Sequence, residues 1–265
     1  MPCRTMRKED ADFAVCCAVP IDAKGLTLIS RPAGRPGEAD AAFSAKYGQS
    51  VAVCHFDQVF VPWDQVFFAG ESEYTEHLVT SYANHHRHSC IGARAGFGDL
   101  LIGAGALMTE ANGLDMESVP HLRDSMAELI KLVEGFFACG VAASVYGVED
   151  PCGSWMPEPV FSNVGKLLLA TQIYDMHRIA HEVSGGLIVA LPGPDEDHNP
   201  ATSGDLATLL AGRPDIPYDQ RAQVARFLGD ISASSTGGWY SIIRDRKSTR
   251  LNSSHVRTSR MPSSA

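Results

Sequence analysis

The chain has 265 residues, with 22 Lys and Arg against 31 Asp and Glu, for a formal net charge of −9. This acidic balance, with no sizeable basic patch, excludes a nucleic-acid-binding surface. No apolar run looks long enough to span a bilayer, and Met1-Pro2-Cys3-Arg4-Thr5-Met6-Arg7-Lys8 lacks the apolar core of a signal peptide.

The first 70 residues read as β structure. Residues 13–20 form an apolar run that ends at Pro20, and residues 26–29 follow the turn Asp22-Ala23-Lys24-Gly25. Residues 32–48, rich in Gly, Pro and Ala, read as a loop. Residues 51–56 and 59–61 are two more strand-like runs, and Pro62 stops regular pairing. From about Glu73 the pattern turns helical. Residues 73–113 contain few breakers, and the recurring small residues Gly92, Ala95, Gly98, Gly103 and Ala106 would let helices approach closely. Residues 119–147 read as a second helix: Pro120 fits its first turn, and Leu122, Met126, Leu129, Leu132, Val133 and Phe136 recur at helical spacing. Residues 151–159 read as a loop, and 160–183 as a third helix stopped by Gly185-Gly186. A loop over 191–204 and a fourth helix over 218–239 complete the order. Strands first and helices after make an α+β chain, with residues 1–70 as β domain and 71–244 as helical bundle.

Residues 245–255 match the in-frame translation of a short-read sequencing adapter, and 259–265 match its far end. This tail is expected to be non-native, with the gene cut near Arg244. It holds five Lys or Arg and one acidic residue. Residues 1–244 therefore carry 17 basic and 30 acidic side chains, a net −13. The seven cysteines, Cys3, Cys16, Cys17, Cys54, Cys90, Cys139 and Cys152, are odd in number and form no C-x-x-C pair. They read as reduced thiols in a packed interior, with a cytoplasmic location to match.

Three segments carry a family resemblance. Phe56-Asp57-Gln58-Val59-Phe60-Val61-Pro62-Trp63-Asp64-Gln65-Val66-Phe67 resembles the strand-to-helix junction of the 4-hydroxyphenylacetate 3-hydroxylase family. Residues 86–99, beginning His86-Arg87-His88-Ser89-Cys90, and residues 180–192, around Gly185-Gly186, resemble its 4-hydroxybutyryl-CoA dehydratase branch. The resemblance implies an acyl-CoA-dehydrogenase-like architecture, here the end of a middle β domain followed by a truncated C-terminal helical bundle. It also implies FAD, a homotetramer in the full-length protein, and a small aromatic or acyl-CoA substrate. Whether a separate flavin reductase takes part stays open.

The dehydratase branch also holds a [4Fe–4S] cluster with three cysteines and one histidine. His86 matches the histidine ligand, but Ala93 stands where a cysteine ligand falls, so no cluster is expected; His86 would be a metal ligand only if one were present. Cys90 stands where the dehydratase has a tyrosine, and Arg94 at a lysine position, where it would be a cation for an anionic group or a solvated helix arginine. His86, with an imidazole suited to proton transfer, Cys90 and Arg94 are the catalytic candidates. Gly185, Gly186, Asn163 and Lys166 are the cofactor-binding candidates, since a Gly-Gly turn lets a phosphate approach the backbone. The acidic run Asp195-Glu196-Asp197-His198 has a metal-like composition but reads as a solvated loop. The leading expectation is a cluster-free phenol monooxygenase using reduced FAD. The alternatives are a 4-hydroxybutyryl-CoA dehydratase or vinylacetyl-CoA isomerase, and an inactive fragment.

Overall fold

The computed structural model describes residues 4–31, 41–48 and 50–242. The adapter-like run 245–265, Cys3 and most of the expected 32–48 loop lie outside them. Strand β1 (Val15–Cys17) pairs antiparallel with β4 (Val66–Ala69), with a bulge between Cys16 and Cys17. Ala14, Cys16 and Phe68 are buried there against Met6 and Leu78. Strands β2 (Leu26–Arg31) and β3 (Val51–Phe56) form a separate antiparallel ribbon, in register from Leu26↔Phe56 to Arg31↔Val51. Nearly every side chain of this ribbon is exposed, including Ile29 and Val53.

Two expectations fail in this region. Residues 59–61 form no strand: Gln58 turns the chain with φ 52°, and Phe60 is 84% exposed. The partner of β1 comes later, at 66–69, after a 3₁₀ turn over Trp63–Gln65 that leaves Trp63 80% exposed. Within the expected 32–48 loop lies a helix, α1 (Ala42–Tyr47). Six residues are too few to hold a helix by propensity. This one is held by a distant carboxylate: Asp230 accepts the Ser44 backbone N–H at 2.8 Å and the Ser44 hydroxyl, and Phe43 meets Phe227 edge-on at 5.1 Å.

The bundle is built on α2 (Tyr74–Ala111), α3 (Pro120–Val145) and α4 (Pro159–Ser184). His88, Gly98 and Gly105 of α2 meet Ser144, Val133 and Met126 of α3 in descending order, so these helices are antiparallel. Ile91, Phe97 and Gly105 meet Gly165, His177 and Val183 of α4 in ascending order, so α4 runs parallel to α2. The six apolar residues expected at helical spacing on α3 are all buried. Between α3 and α4 a small hairpin, β5 (Val148–Glu149) and β6 (Trp155–Met156), occupies part of the expected 151–159 loop and leaves Trp155 exposed.

Only part of the small-residue series mediates close packing. A Cβ at Gly98 would sit 2.4 Å from Val133, whereas Gly92 and Gly103 face open space. Gly105, Gly140 and Gly165 supply the other close approaches. Helix α2 falls within the expected 73–113, but contrary to the expectation that no apolar run reaches that length it is long and apolar enough by composition to cross a membrane. Half of that stretch is buried inside the structure, which is where its apolar character goes.

After α4 come α5 (Leu187–Ala190), α6 (Ser203–Leu209), α7 (Tyr218–Ala233) and α8 (Ser235–Ile242). Helix α6 begins within the expected 191–204 loop. The expected single helix over 218–239 is broken at Ser234, whose backbone is extended. Leu228 and Ile231 of α7 close the core. The cysteines depart from a uniformly packed set: Cys16 and Cys90 are buried, Cys17 and Cys139 half-buried, Cys54 and Cys152 exposed, and none of these six forms a disulfide.

Candidate functional site

His86, Cys90, Arg94 and Phe97 follow one another at three- and four-residue steps, forming one row along α2. At its head, His86 is exposed and stacks on Tyr82 with ring centroids 5.5 Å apart. The Cys90 sulfur lies 3.7 Å from His86 Nδ1 and 3.8 Å from Nε2, and is buried. Arg94 is fully buried and Phe97 nearly so, so the solvated reading of Arg94 is wrong. Across the row, His177 of α4 places its ring 5.5 Å from that of Phe97. Burial pushes the His177 pKa down to about 4, with help from His181 and the Arg94 guanidinium. Burial lowers His181 as well, and its Nε2 lies 2.8 Å from the Ser232 hydroxyl of α7. His177, an imidazole that resists protonation, thus lies near a buried guanidinium and beside a second imidazole, an arrangement that admits no further cation cheaply.

Position 93 lies on the exposed side of α2, seven residues and about 20° of rotation from His86. That geometry suits a shared ligand pair, but Ala93 offers only a methyl group. Cys90 does not replace it, because its sulfur is turned into the packing. Among the described residues no three His, Cys, Asp or Glu side chains converge as a metal-ligand set. Of the pair at positions 86 and 93, the imidazole can bind iron and the methyl group cannot.

The Gly185-Gly186 turn ends α4. Gly185 has φ 76°, a conformation that glycine adopts at little cost. Gly186 is different: its φ of −68° suits any residue, and a Cβ there would meet nothing within 4 Å. The backbone at Gly186 is open, as it is at Gly92 and Gly103, so the turn is sterically accessible from outside. Asn163 and Lys166 do not join this turn. They sit in the first turns of α4, roughly 30 Å along the helix axis from Gly185.

Sequence reasoning missed His177, although it falls on the same face of α4 as Leu169, Ile173 and Ala180. It also missed Asn112 and Arg221, which lie behind the Gly-Gly turn. The acidic run is not simply solvated: Asp197 accepts Arg226 at 2.6 and 3.1 Å and the Tyr218 hydroxyl at 2.9 Å, and Glu196 accepts Asn199 and Thr202. A cleft of roughly 670 Å³ beside the C-terminal end of α2, lined by Thr109, Glu110, Asp115 and Arg213, contains none of the expected site residues.

Residues 1–68 match the family model described as 4-hydroxyphenylacetate 3-hydroxylase N terminal, and residues 75–244 match the corresponding C-terminal model. The chain is 31% identical over 254 residues to 4-hydroxybutyryl-CoA dehydratase/vinylacetyl-CoA-Δ-isomerase of Clostridium aminobutyricum, covering 89% of this chain and 51% of that protein. It is 23% identical over 240 residues to the 4-hydroxyphenylacetate 3-monooxygenase oxygenase component of Thermus thermophilus, covering 89% and 49%. Among solved structures, an archaeal 4-hydroxybutyryl-CoA dehydratase from N. maritimus superposes with TM-score 0.87 at 30% identity, covering 95% of this chain and 52% of that one. The oxygenase component of 4-hydroxyphenylacetate 3-monooxygenase complexed with FAD superposes with TM-score 0.80 at 21% identity, covering 95% and 54%, a likeness of fold. The chain therefore spans about half the length of the relatives it matches, and its α+β architecture is acyl-CoA-dehydrogenase-like. With residues 75–244, more than half of the chain, matching the C-terminal family model, and residues 1–68 matching the N-terminal one, the chain belongs to the 4-hydroxyphenylacetate 3-hydroxylase family.

Proposed function

We propose that this chain is part of a flavin-dependent monooxygenase that hydroxylates a phenol with reduced FAD and carries no iron–sulfur cluster. The observation that carries this reading is Ala93, a methyl group on the same exposed side of α2 as His86. In this reading residues 1–70 are the end of a middle β domain and 71–244 the helical bundle of a homotetramer. Reduced flavin comes from a separate reductase, in keeping with relatives named as oxygenase components. Gly185 and Gly186 admit the FAD diphosphate, and Asn163 and Lys166, at the far end of α4, meet a different part of a cofactor or a neighbouring subunit.

When bound, the reduced flavin supplies the oxygen-transfer chemistry. The chain's own residues orient and protect the substrate. The His86 imidazole, held against Tyr82 with the Cys90 thiol beside it, takes or returns the phenol proton at a ring nitrogen. Arg94 and the neutral His177 lie beneath this surface, and the apolar Phe97 seals the row from water. The 265-residue chain alone is expected to be inactive, because the β2–β3 ribbon is exposed on both faces and the matched relatives are about twice as long.

The test is turnover by the full-length polypeptide. Reduced FAD, oxygen and 4-hydroxyphenylacetate should give a hydroxylated product, and the purified protein should contain no stoichiometric iron. Stoichiometric iron would sink this reading. A second reading, 4-hydroxybutyryl-CoA dehydratase or isomerase, is favoured by the higher identity and TM-score to the dehydratases. It requires turnover of 4-hydroxybutyryl-CoA that is lost in His86→Ala.

A further inference from the structure

Behind the Gly185-Gly186 turn lies a connected set of hydrogen bonds among α4, α7 and the ends of α2 and α6. The Asn112 side-chain N–H donates to the Ser184 carbonyl, 3.1 Å away, in the last turn of α4. Carbonyls in that turn have no donor within their own helix and need one from outside. The Asn112 carbonyl oxygen in turn accepts Arg221 Nε at 3.0 Å and Nη2 at 2.6 Å, and Arg221 Nη1 donates to the Leu210 carbonyl. A guanidinium has no acceptor, so the amide oxygen must face Arg221 and the amide nitrogen must face Ser184. The amide is thereby fixed in one orientation. The bond from a cation also polarises it, which strengthens donation to Ser184. Asn112 is itself anchored as the C-terminal cap of α2, its backbone N–H donating to Met108 at 2.9 Å. Its Nδ2 lies 3.9 Å from where a Gly185 Cβ would stand.

We propose that Asn112, oriented by Arg221, is a positioning residue that holds the Gly185-Gly186 turn in the shape that admits the cofactor's diphosphate. This rests on the reading above that the turn contacts FAD. Arg221 and Asn112 need not touch the cofactor; they act by fixing where α4 ends.

The experiment is a fluorescence titration of the full-length polypeptide with FAD and, separately, with riboflavin, which has no phosphate. Asn112→Asp keeps the acceptor for Arg221 and replaces the donor to Ser184 with an oxygen. It should weaken FAD binding about tenfold and leave riboflavin binding unchanged. Arg221→Lys keeps the charge but loses the fork, and should give a smaller loss of the same kind. It carries the test if Asn112→Asp lowers Tm. Gly186→Val separates the two ideas by filling the open backbone directly. If Gly186→Val weakens FAD and neither Asn112→Asp nor Arg221→Lys does, the positioning role is overturned and the cradle survives. If Gly186→Val leaves FAD affinity unchanged, the cradle falls and the positioning role falls with it. Equal losses for FAD and riboflavin in Asn112→Asp would also overturn the proposal, since they would show a general structural defect.

Discussion

The α2–α3–α4 bundle and the β2–β3 ribbon are both rich in apolar side chains, yet only the bundle buries them. Leu101, Leu129, Phe136 and Met176 are fully enclosed by neighbouring helices, while Leu28, Ile29, Val53 and Phe56 stand exposed on the ribbon. Helices in a bundle cover one another. A two-stranded ribbon has no second layer of its own and is marginal without one. Thermodynamic stability in this chain is therefore a property of the bundle, and the ribbon contributes shape without contributing much free energy.

Phe136→Ala and Phe56→Ala give the largest contrast. The first should cost about 3–5 kcal/mol in urea unfolding and the second under about 1 kcal/mol; comparable losses would break the distinction. Next in size is a pH effect within the bundle. The folded His177 pKa is depressed from 6.5 to about 4, so between these values the unfolded chain binds the proton and the folded chain does not. This contribution is fully present above pH 6.5 and is lost as pH falls to about 4, to the extent of roughly 3 kcal/mol at most. His177→Leu should flatten that part of the stability profile, and an unaltered slope would contradict the assignment.

A smaller pair of effects divides the glycines of α2. Gly98→Ala, which would meet Val133, should destabilise by about 1–3 kcal/mol. Gly92→Ala, facing open space, should instead stabilise by roughly 0.5–1 kcal/mol. Smallest of all, Val53→Thr on the ribbon should shift the unfolding midpoint by no more than about 0.5 kcal/mol in either direction.

The long helices were legible because their buried positions repeat over many turns, as from Leu122 to Phe136. Elements that depend on distant partners were not. Helix α1 owes its existence to Asp230, 186 residues away from Ser44, and β4 is chosen by its pairing with β1 rather than by any local contrast with the apolar run at 59–61. The same distinction governs the site. His86, Cys90 and Arg94 lie in one segment, residues 86–99, and it is the family resemblance of that segment that marks them. His177 enters only through packing against Phe97, and Asn112 only through the meeting of two helix ends. Asn163 and Lys166 share a helix with Gly185, but the rise along that helix carries them away from it.

The exposure of Trp63 and Trp155 has an optical consequence. Of three in the chain, Trp63 precedes β4 and Trp155 lies in the small hairpin, both well outside the bundle core. Their emission should already be red-shifted in the native protein and open to quenching by acrylamide. Ellipticity at 222 nm, by contrast, follows α2, α3 and α4. During denaturation the emission of Trp63 and Trp155 should therefore change little while the helical signal is lost, so their share of a fluorescence melt reports the periphery of this molecule and not its core.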